Sequence, residues 1–352
     1  MAYNYTTIQA LINEKYLPVL YNNIFTKNHY LLAVLKAKAK TYDDRSIVVP
    51  LEYAKSTTIG FLDRFGTISL TPEEIATAAK FAPKMLTGSF TISLEDELEN
   101  KSDMSIKNVL DTKMANLERS IQDYLATHIW TRGSSLAATK NWNTVDYLVN
   151  NSTTEDVGDI LSSGTVPTWW RSQIINVATD DYYAGGDPTS EADLLDPSSP
   201  VYIKKLLQRG YAKAKAAAGG EAPTDIVVPQ YQFDLIETIL DPQKTGNKFN
   251  ERAGSMGFTS LDYRGCAIVA DDDMVAAQTG DTDGRMYFLN TNYLWMFFNS
   301  GAKFTATEFV KAPNQNAKSS LVNSYGNLCI SNRGVQISMQ NIRSPKLYSA
   351  AA

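Results

Sequence analysis

Apolar residues recur at Ile106, Leu110, Met114, Leu117, Ile121, Leu125 and Ile129, in steps of three or four. That is the period of one helical face, and it predicts an amphipathic helix over Ser105 to Arg132. Neither Gly nor Pro interrupts the run, and Gly133 stands where a helix can close through a left-handed residue. At 1.5 Å per residue the helix is a rod of roughly 40 Å. Upstream the pattern is that of strands. Ile47-Val48-Val49-Pro50-Leu51-Glu52-Tyr53 is β-branched and apolar, with Pro50 arguing for an edge position. Ser89-Phe90-Thr91-Ile92-Ser93 alternates and is expected to run back beside it. The long tip between them contains Phe61, Leu62, Phe65, Ile68, Leu70 and Phe81, while Thr71-Pro72-Glu73-Glu74 has the order of a helix start. A hairpin arm cannot bury that many apolar residues against itself. They require a partner surface, on the same chain or on another copy.

The remaining pattern is mixed. Ile8, Leu11, Ile12 and Tyr16 have helical spacing, and Tyr30 to Leu35 is apolar. Lys36, Lys38 and Lys40 follow, either a solvated helix end or a small basic patch facing a polyanion. Glu95-Asp96-Glu97-Leu98-Glu99 precedes the long helix as a solvated face or a set of intersubunit ion-pair partners. From Gly133 to Pro200 the chain is loop-rich, and Trp142, Trp169 and Trp170 are expected to anchor it by packing. A helix opening at Ser199-Pro200, a strand at Asp225–Val228, a helix at Gln230–Leu240 and a strand at Gly265–Ala270 then predict a compact α/β unit. Strands follow at Met286–Leu289, Tyr293–Phe298 and Phe304–Val310. A last pair, Asn327–Ser331 and Val335–Met339, is expected to form a hairpin through Asn332-Arg333-Gly334.

Composition narrows the chemistry. A chain of 352 residues can bury a sizeable core, and a net charge of −5 argues against a dedicated nucleic-acid binder. Between Lys303 and Lys346, however, six basic residues face one acid. Cys266 and Cys329 are too few for a disulfide framework or a four-cysteine metal site. With no signal peptide at the Met1 end, both are expected as thiols in a cytoplasmic fold. Apolar stretches such as Tyr293–Phe298 are too short to cross a bilayer, so no membrane partner is expected. His29 and His128 are expected to be structural, since a triad or metal site would have to recruit both from distant segments. Asp271-Asp272-Asp273 reads as a turn or solvated strand end, and Asp281-Thr282-Asp283-Gly284 as a β-turn lacking the later ligands of a calcium loop. Gly185-Gly186-Asp187-Pro188 is turn chemistry, and GxSxG, HExxH and CxxC are absent from the sequence. No cofactor, metal or catalytic residue is expected. The enzyme reading that survives is a carbohydrate-active one, with paired carboxylates and Trp169-Trp170 as a sugar platform.

The order of parts carries a resemblance. An N-terminal arm, a strand at Ile47-Val48-Val49-Pro50-Leu51, a long tip and the return Phe90-Thr91-Ile92-Ser93-Leu94-Glu95-Asp96-Glu97-Leu98 lead into the unbroken helix closing at Trp130-Thr131-Arg132-Gly133. Trp169-Trp170-Arg171, Asp225 to Phe233 and Tyr263 to Val269 follow in order. This resembles the major capsid proteins of tailed double-stranded DNA bacteriophages, whose shared architecture is the Hong Kong 97-type fold.

The resemblance implies an α+β chain in five parts: an N-arm (1–46), an extended β-hairpin E-loop (47–94), a peripheral domain with connecting loop (95–198) containing the spine helix (105–132), an α/β axial domain (199–295), and C-terminal strands returning to the peripheral domain (296–352). It implies self-assembly through pentamers and hexamers into an icosahedral shell around packaged DNA, within a virion assembled in the host cytoplasm. Intersubunit contacts are expected at Phe61, Leu62, Asp63, Arg64, Phe65, Glu95, Glu97 and Arg119. Lys36, Lys38 and Lys40, or the basic C-terminal stretch, would face DNA without sequence preference. About 46 residues precede the E-loop, too few for a fused scaffolding domain. A separate scaffold protein or none is therefore expected, along with a portal and, optionally, decoration proteins. An encapsulin nanocompartment shares the fold and would hold protein cargo instead.

Overall fold

The computed structural model describes residues 29–64, 66–67, 72–93, 95, 103–132, 140–161, 164–217, 221–240, 260–277, 284–307, 309–311 and 316–342. In chain order these form α1 (Tyr30–Ala37), β1 (Lys40–Tyr42), β2 (Ile47–Glu52), β3 (Ala76–Phe81), β4 (Lys84–Ser93), α2 (Asp103–Trp130), α3 (Val145–Leu148), β5 (Gln173–Asn176), α4 (Glu191–Leu195), α5 (Ile203–Ala217), β6 (Asp225–Val228) and α6 (Gln230–Leu240). They continue with β7 (Ser260–Tyr263), β8 (Cys266–Ala270), α7 (Asp272–Ala277), β9 (Met286–Leu289), β10 (Leu294–Asn299), β11 (Thr305–Ala306), β12 (Val310–Lys311), β13 (Ala317–Ile330) and β14 (Ile337–Gln340).

The strands fall into two large sheets and a two-stranded ribbon. In the first sheet the 14-residue β13 is a shared rail. Its early part, Ala317–Gly326, pairs antiparallel with β4, and its end pairs with β10, which carries β1 parallel on its other edge. The second sheet has the order β5-β14-β9-β6-β8-β7. Its middle strands β6, β8 and β9 are buried along their whole length, which is why they read as continuous apolar runs. Two cores result. One gathers α1, the end of α2 and the first sheet around Leu35, Leu125, Trp130, Met296 and Leu328. The other packs α5 and α6 on the second sheet around Leu206, Ile236, Ile268 and Phe288.

The long helix runs Asp103–Trp130, and Ile121, Leu125 and Ile129 are buried on the face the periodicity selects. β4 crosses it closely at Gly88. A Cβ there would lie 2.9 Å from both Leu117 Cδ1 and Ile121 Cδ1, so a side chain at this crossing would have to displace those two methyl ends.

Several expectations are corrected. The partner of β2 is β3, with Ile47 opposite Phe81, not Ser89–Ser93. The strand holding Ser89–Ser93 belongs instead to the first sheet, because its inward residues Leu86 and Gly88 meet the first core and α2. Phe81 is buried at the root of the hairpin and is not a tip residue. Pro72–Ile75 is not helical: Tyr53 N donates to Ile75 O at 3.0 Å and holds the return strand extended. Among the described residues Phe304–Val310 is not one strand: Thr305–Ala306 and Val310–Lys311 each pair with β13, while Thr307 and Phe309 are not in a strand. Asn332-Arg333-Gly334 closes no hairpin, because the strands flanking it lie in different sheets. Arg333 is fully buried there, donating to Leu148 O at 2.8 Å and to Asn150 O and Oδ1 at 2.9 Å, and so pins the crossing between sheets. The second sheet also takes β5 and β14 from segments assigned by sequence to the peripheral part and to the C-terminal strands. Among the described residues no helix is long and apolar enough to cross a membrane.

Candidate assembly interface

The ribbon β2–β3 has one buried face, Ile47, Val49 and Leu51 with Ala79 and Phe81, while Val48, Pro50 and Glu52 point outward. Its root is tied to the rest of the chain. Lys80 N donates to Gly158 O at 2.8 Å, Asn327 Nδ2 to Ala82 O at 2.8 Å, and Trp142 Nε1 to Lys84 O at 2.9 Å. Beyond the root the two limbs are joined by Glu73, whose carboxylate accepts the backbone N–H of Thr57 and its hydroxyl. Those hydrogen bonds hold the Glu73 carboxyl below its ordinary value.

Past this clasp the arm ends in exposed apolar residues. Ile59 is 86% exposed, Phe61 fully so, and Leu62 53%. Asp63 and Arg64 sit beside them in a turn closed by Gly66 N donating to Asp63 O at 2.9 Å. The fully exposed phenylalanine and its two large aliphatic neighbours turn apolar surface to solvent. Glu95 and Arg119 are exposed as well, at the end of β4 and on α2. Phe65 and Glu97 lie outside the described residues, as do Ile68, Leu70 and residues 1–28.

The three lysines are not presented together. Lys38 Nζ donates to Thr291 O, Thr291 Oγ1 and Asn292 Oδ1 at 3.0–3.3 Å, capping the turn before β10. Lys36 is half-buried over the Phe304 ring, and burial lowers its pKa. Lys40 is exposed, with Nζ 3.6 Å from the Trp295 ring centroid.

Burial also decides the other sequence candidates. Asp271 and Asp273 are not solvated: they are 1% and 0% exposed. Asp271 caps α7 by accepting Asp273 N, and also takes the backbone N–H of Leu31 at 3.1 Å. Burial pushes its carboxyl up to about 7, against the backbone hydrogen bonds that lower it. His29 sets Nδ1 2.5 Å from Asp273 Oδ2 and Nε2 3.9 Å from Asp123 Oδ1. These groups lie within 4.8 Å of one another, a spacing that can hold a metal ion. The two ring nitrogens face different carboxylates, however, which fits an imidazolium bridging two acids better than one ion shared by three ligands. His128 gives Nε2 to Trp142 O at 2.9 Å and stacks on Tyr124.

Trp169 and Trp170 do not form an open platform. Trp170 is buried and donates Nε1 to Val157 O at 2.7 Å, and Trp169 stacks on Tyr53 with centroids 5.1 Å apart. The stack forms one wall of a cavity of about 580 Å³ at the arm's root, which no sequence pattern announced.

No protein-family model and no curated protein matches this sequence. Solved structures do. The Cyanophage A-1(L) capsid asymmetric unit aligns over 95% of this chain and 98% of its own, with a TM-score of 0.66 at 12% identity. The Cyanophage Pam1 capsid asymmetric unit aligns over 93% and 96%, with a TM-score of 0.54 at 11% identity. The holo-SrpI encapsulin complex from Synechococcus elongatus PCC 7942 covers 97% of each chain, with a TM-score of 0.52 at 11% identity. The spine helix, the projecting hairpin and the two sheets are those of the α+β Hong Kong 97-type capsid fold.

Proposed function

We propose that this chain is the major capsid protein of a tailed double-stranded DNA bacteriophage. It assembles through pentamers and hexamers into an icosahedral shell, and its role is structural, without catalysis. The observation that carries this reading is the arm beyond Glu73: a clasped hairpin whose Ile59, Phe61 and Leu62 are turned to solvent on a chain with a capsid fold. An apolar tip is stabilised by lying on a neighbour, and many modest contacts repeated by symmetry close a strong shell.

Residues 1–46 would act as the N-arm and 47–94 as the E-loop, with Phe61, Leu62, Asp63, Arg64, Phe65, Glu95, Glu97 and Arg119 as intersubunit contacts. The partners would be a portal, a separate scaffold or none, optionally decoration proteins, and DNA held by non-specific contact. Of the three lysines, the exposed Lys40 is the best placed to meet DNA. Location in the virion, after assembly in the host cytoplasm, follows from the same reading. The encapsulin alternative shares the fold and differs in what fills the shell.

Sedimentation of particles from an expressing cell, with nucleic acid and protein content measured after nuclease treatment, tests the reading. Large particles protecting DNA, once co-expressed with the packaging machinery, support it. Particles filled only with a second protein would replace it with the encapsulin reading, and small oligomers under every condition would reject both.

A further inference from the structure

The arm's exposed tip and the cavity at its root are complementary. The cavity lies where the hairpin meets residues 159–161 and 165–171, with the stacked Tyr53 and Trp169 as an aromatic wall and Ile160 and Val166 adding apolar lining. Asp159 and Arg171 supply its charges. The Arg171 guanidinium is oriented from one side, Nε and Nη2 both donating to Val166 O at 2.9 and 2.5 Å. Among the described residues that leaves Nη1 for an incoming acceptor. Asp159 is exposed, its backbone held in the left-handed region at φ 58°.

A subunit does not fill its own cavity. Phe61 is fully exposed, and eight residues beyond Tyr53 an extended arm carries it as far as about 26 Å away. The tip presents an apolar pair, Phe61-Leu62, followed at once by one acid and one base, Asp63-Arg64. The cavity presents aromatic and aliphatic side chains interspersed with threonines, with one base and one acid.

We propose that this cavity receives Phe61 and Leu62 from the arm of a second copy of this chain, with Asp63 meeting Arg171 and Arg64 meeting Asp159. The inference rests on the shell reading and specifies the seat of its arm. Donor and acceptor surfaces are different patches of one chain, so the contact is head-to-tail and closes into rings when the rotation allows. Opposite charges at the rim fix the register of the inserted tip more than they add affinity.

A charge swap tests the seat. Arg64→Glu and Asp159→Lys, each checked for a native circular dichroism spectrum, are expected to lower shell yield at least tenfold. The double variant Arg64→Glu/Asp159→Lys is expected to restore most of it. A cysteine pair, Leu62→Cys with Thr165→Cys, should give covalent ladders of subunits under mild oxidation, whereas either cysteine alone should not. Single charge variants that assemble like the parent, or a double variant no better than the worse single, would overturn the seat while parent shells still form. A parent chain that forms neither shells nor capsomers would instead overturn the shell reading, and this inference with it.

Discussion

The imidazole of His29 lies between two carboxylates, with Nδ1 2.5 Å from Asp273 Oδ2 and Nε2 turned toward Asp123. It joins the start of α1 to α2 and α7 at once, because Asp273 also accepts the Thr127 hydroxyl at 3.1 Å. The hydrogen bond to Asp273 raises the His29 pKa, with smaller contributions from the charges of Asp273, Asp123 and Asp271, while burial opposes them. Asp271, next to it, is raised to about 7 by burial.

Both shifts give stability the same slope. A raised His29 stabilises the fold fully below its ordinary value of 6.5, and this contribution is lost as pH rises through the higher folded value. Asp271 binds its proton more tightly in the folded state, so its contribution is lost between its ordinary 3.8 and about 7. The contribution of these two groups to the denaturant midpoint should therefore fall from pH 4 upward, continuing past 7. Asp271→Asn should flatten the lower part of that slope and His29→Gln the upper part. Equal slopes in parent and variants would refute the assignment.

Gly88 should accept a side chain only if Leu117 and Ile121 give way. Gly88→Val drives two methyl groups into Leu117 and Ile121, where even a Cβ would sit at 2.9 Å. A loss of about 1–3 kcal/mol in denaturant titration is expected, the usual cost of overpacking. Unchanged stability would mean that β4 moves off α2 freely.

Arg333→Met should be costly in spite of similar length. It removes three hydrogen bonds, to Leu148 O and to Asn150 O and Oδ1, and leaves those acceptors only their bonds to the Ser172 hydroxyl, Ser172 N and Ser152 N. A loss of about 1–3 kcal/mol is expected by chemical denaturation. A neutral outcome would show that the crossing between the sheets is held by packing alone.

Phe61→Ser should separate folding from assembly. Phe61 is fully exposed, so subunit stability should change by no more than about 0.5 kcal/mol. Shell yield should fall sharply. A variant that unfolds, or one that assembles normally, contradicts the role given to the tip.

Much of this architecture was legible in the sequence where one local period decides. The α2 periodicity placed its buried face, and the short apolar runs at Asp225–Val228 and Cys266–Ala270 became buried strands of one parallel pair. Pairing across long separations was not legible. β4 reads the same whether its neighbour is β2 or the distant β13, because alternation defines a face and not a partner. Asn332-Arg333-Gly334 has good hairpin chemistry, yet a buried arginine overrides it by binding carbonyls some 185 residues away. The Asp271–Asp273 acids looked solvated because their partners, His29, Leu31 and Thr127, lie on remote segments. The exposure of Phe61 and Leu62 was legible in their lack of local cover. The cavity was not, since Tyr53 and Trp169 approach each other only in the folded chain.

The most direct test is electron microscopy of the purified full-length protein at neutral pH, imaged with and without a co-expressed scaffold. Closed icosahedral shells are expected, or rings of five and six subunits that close into them. Monodisperse particles of one or two subunits under both conditions would contradict the shell reading.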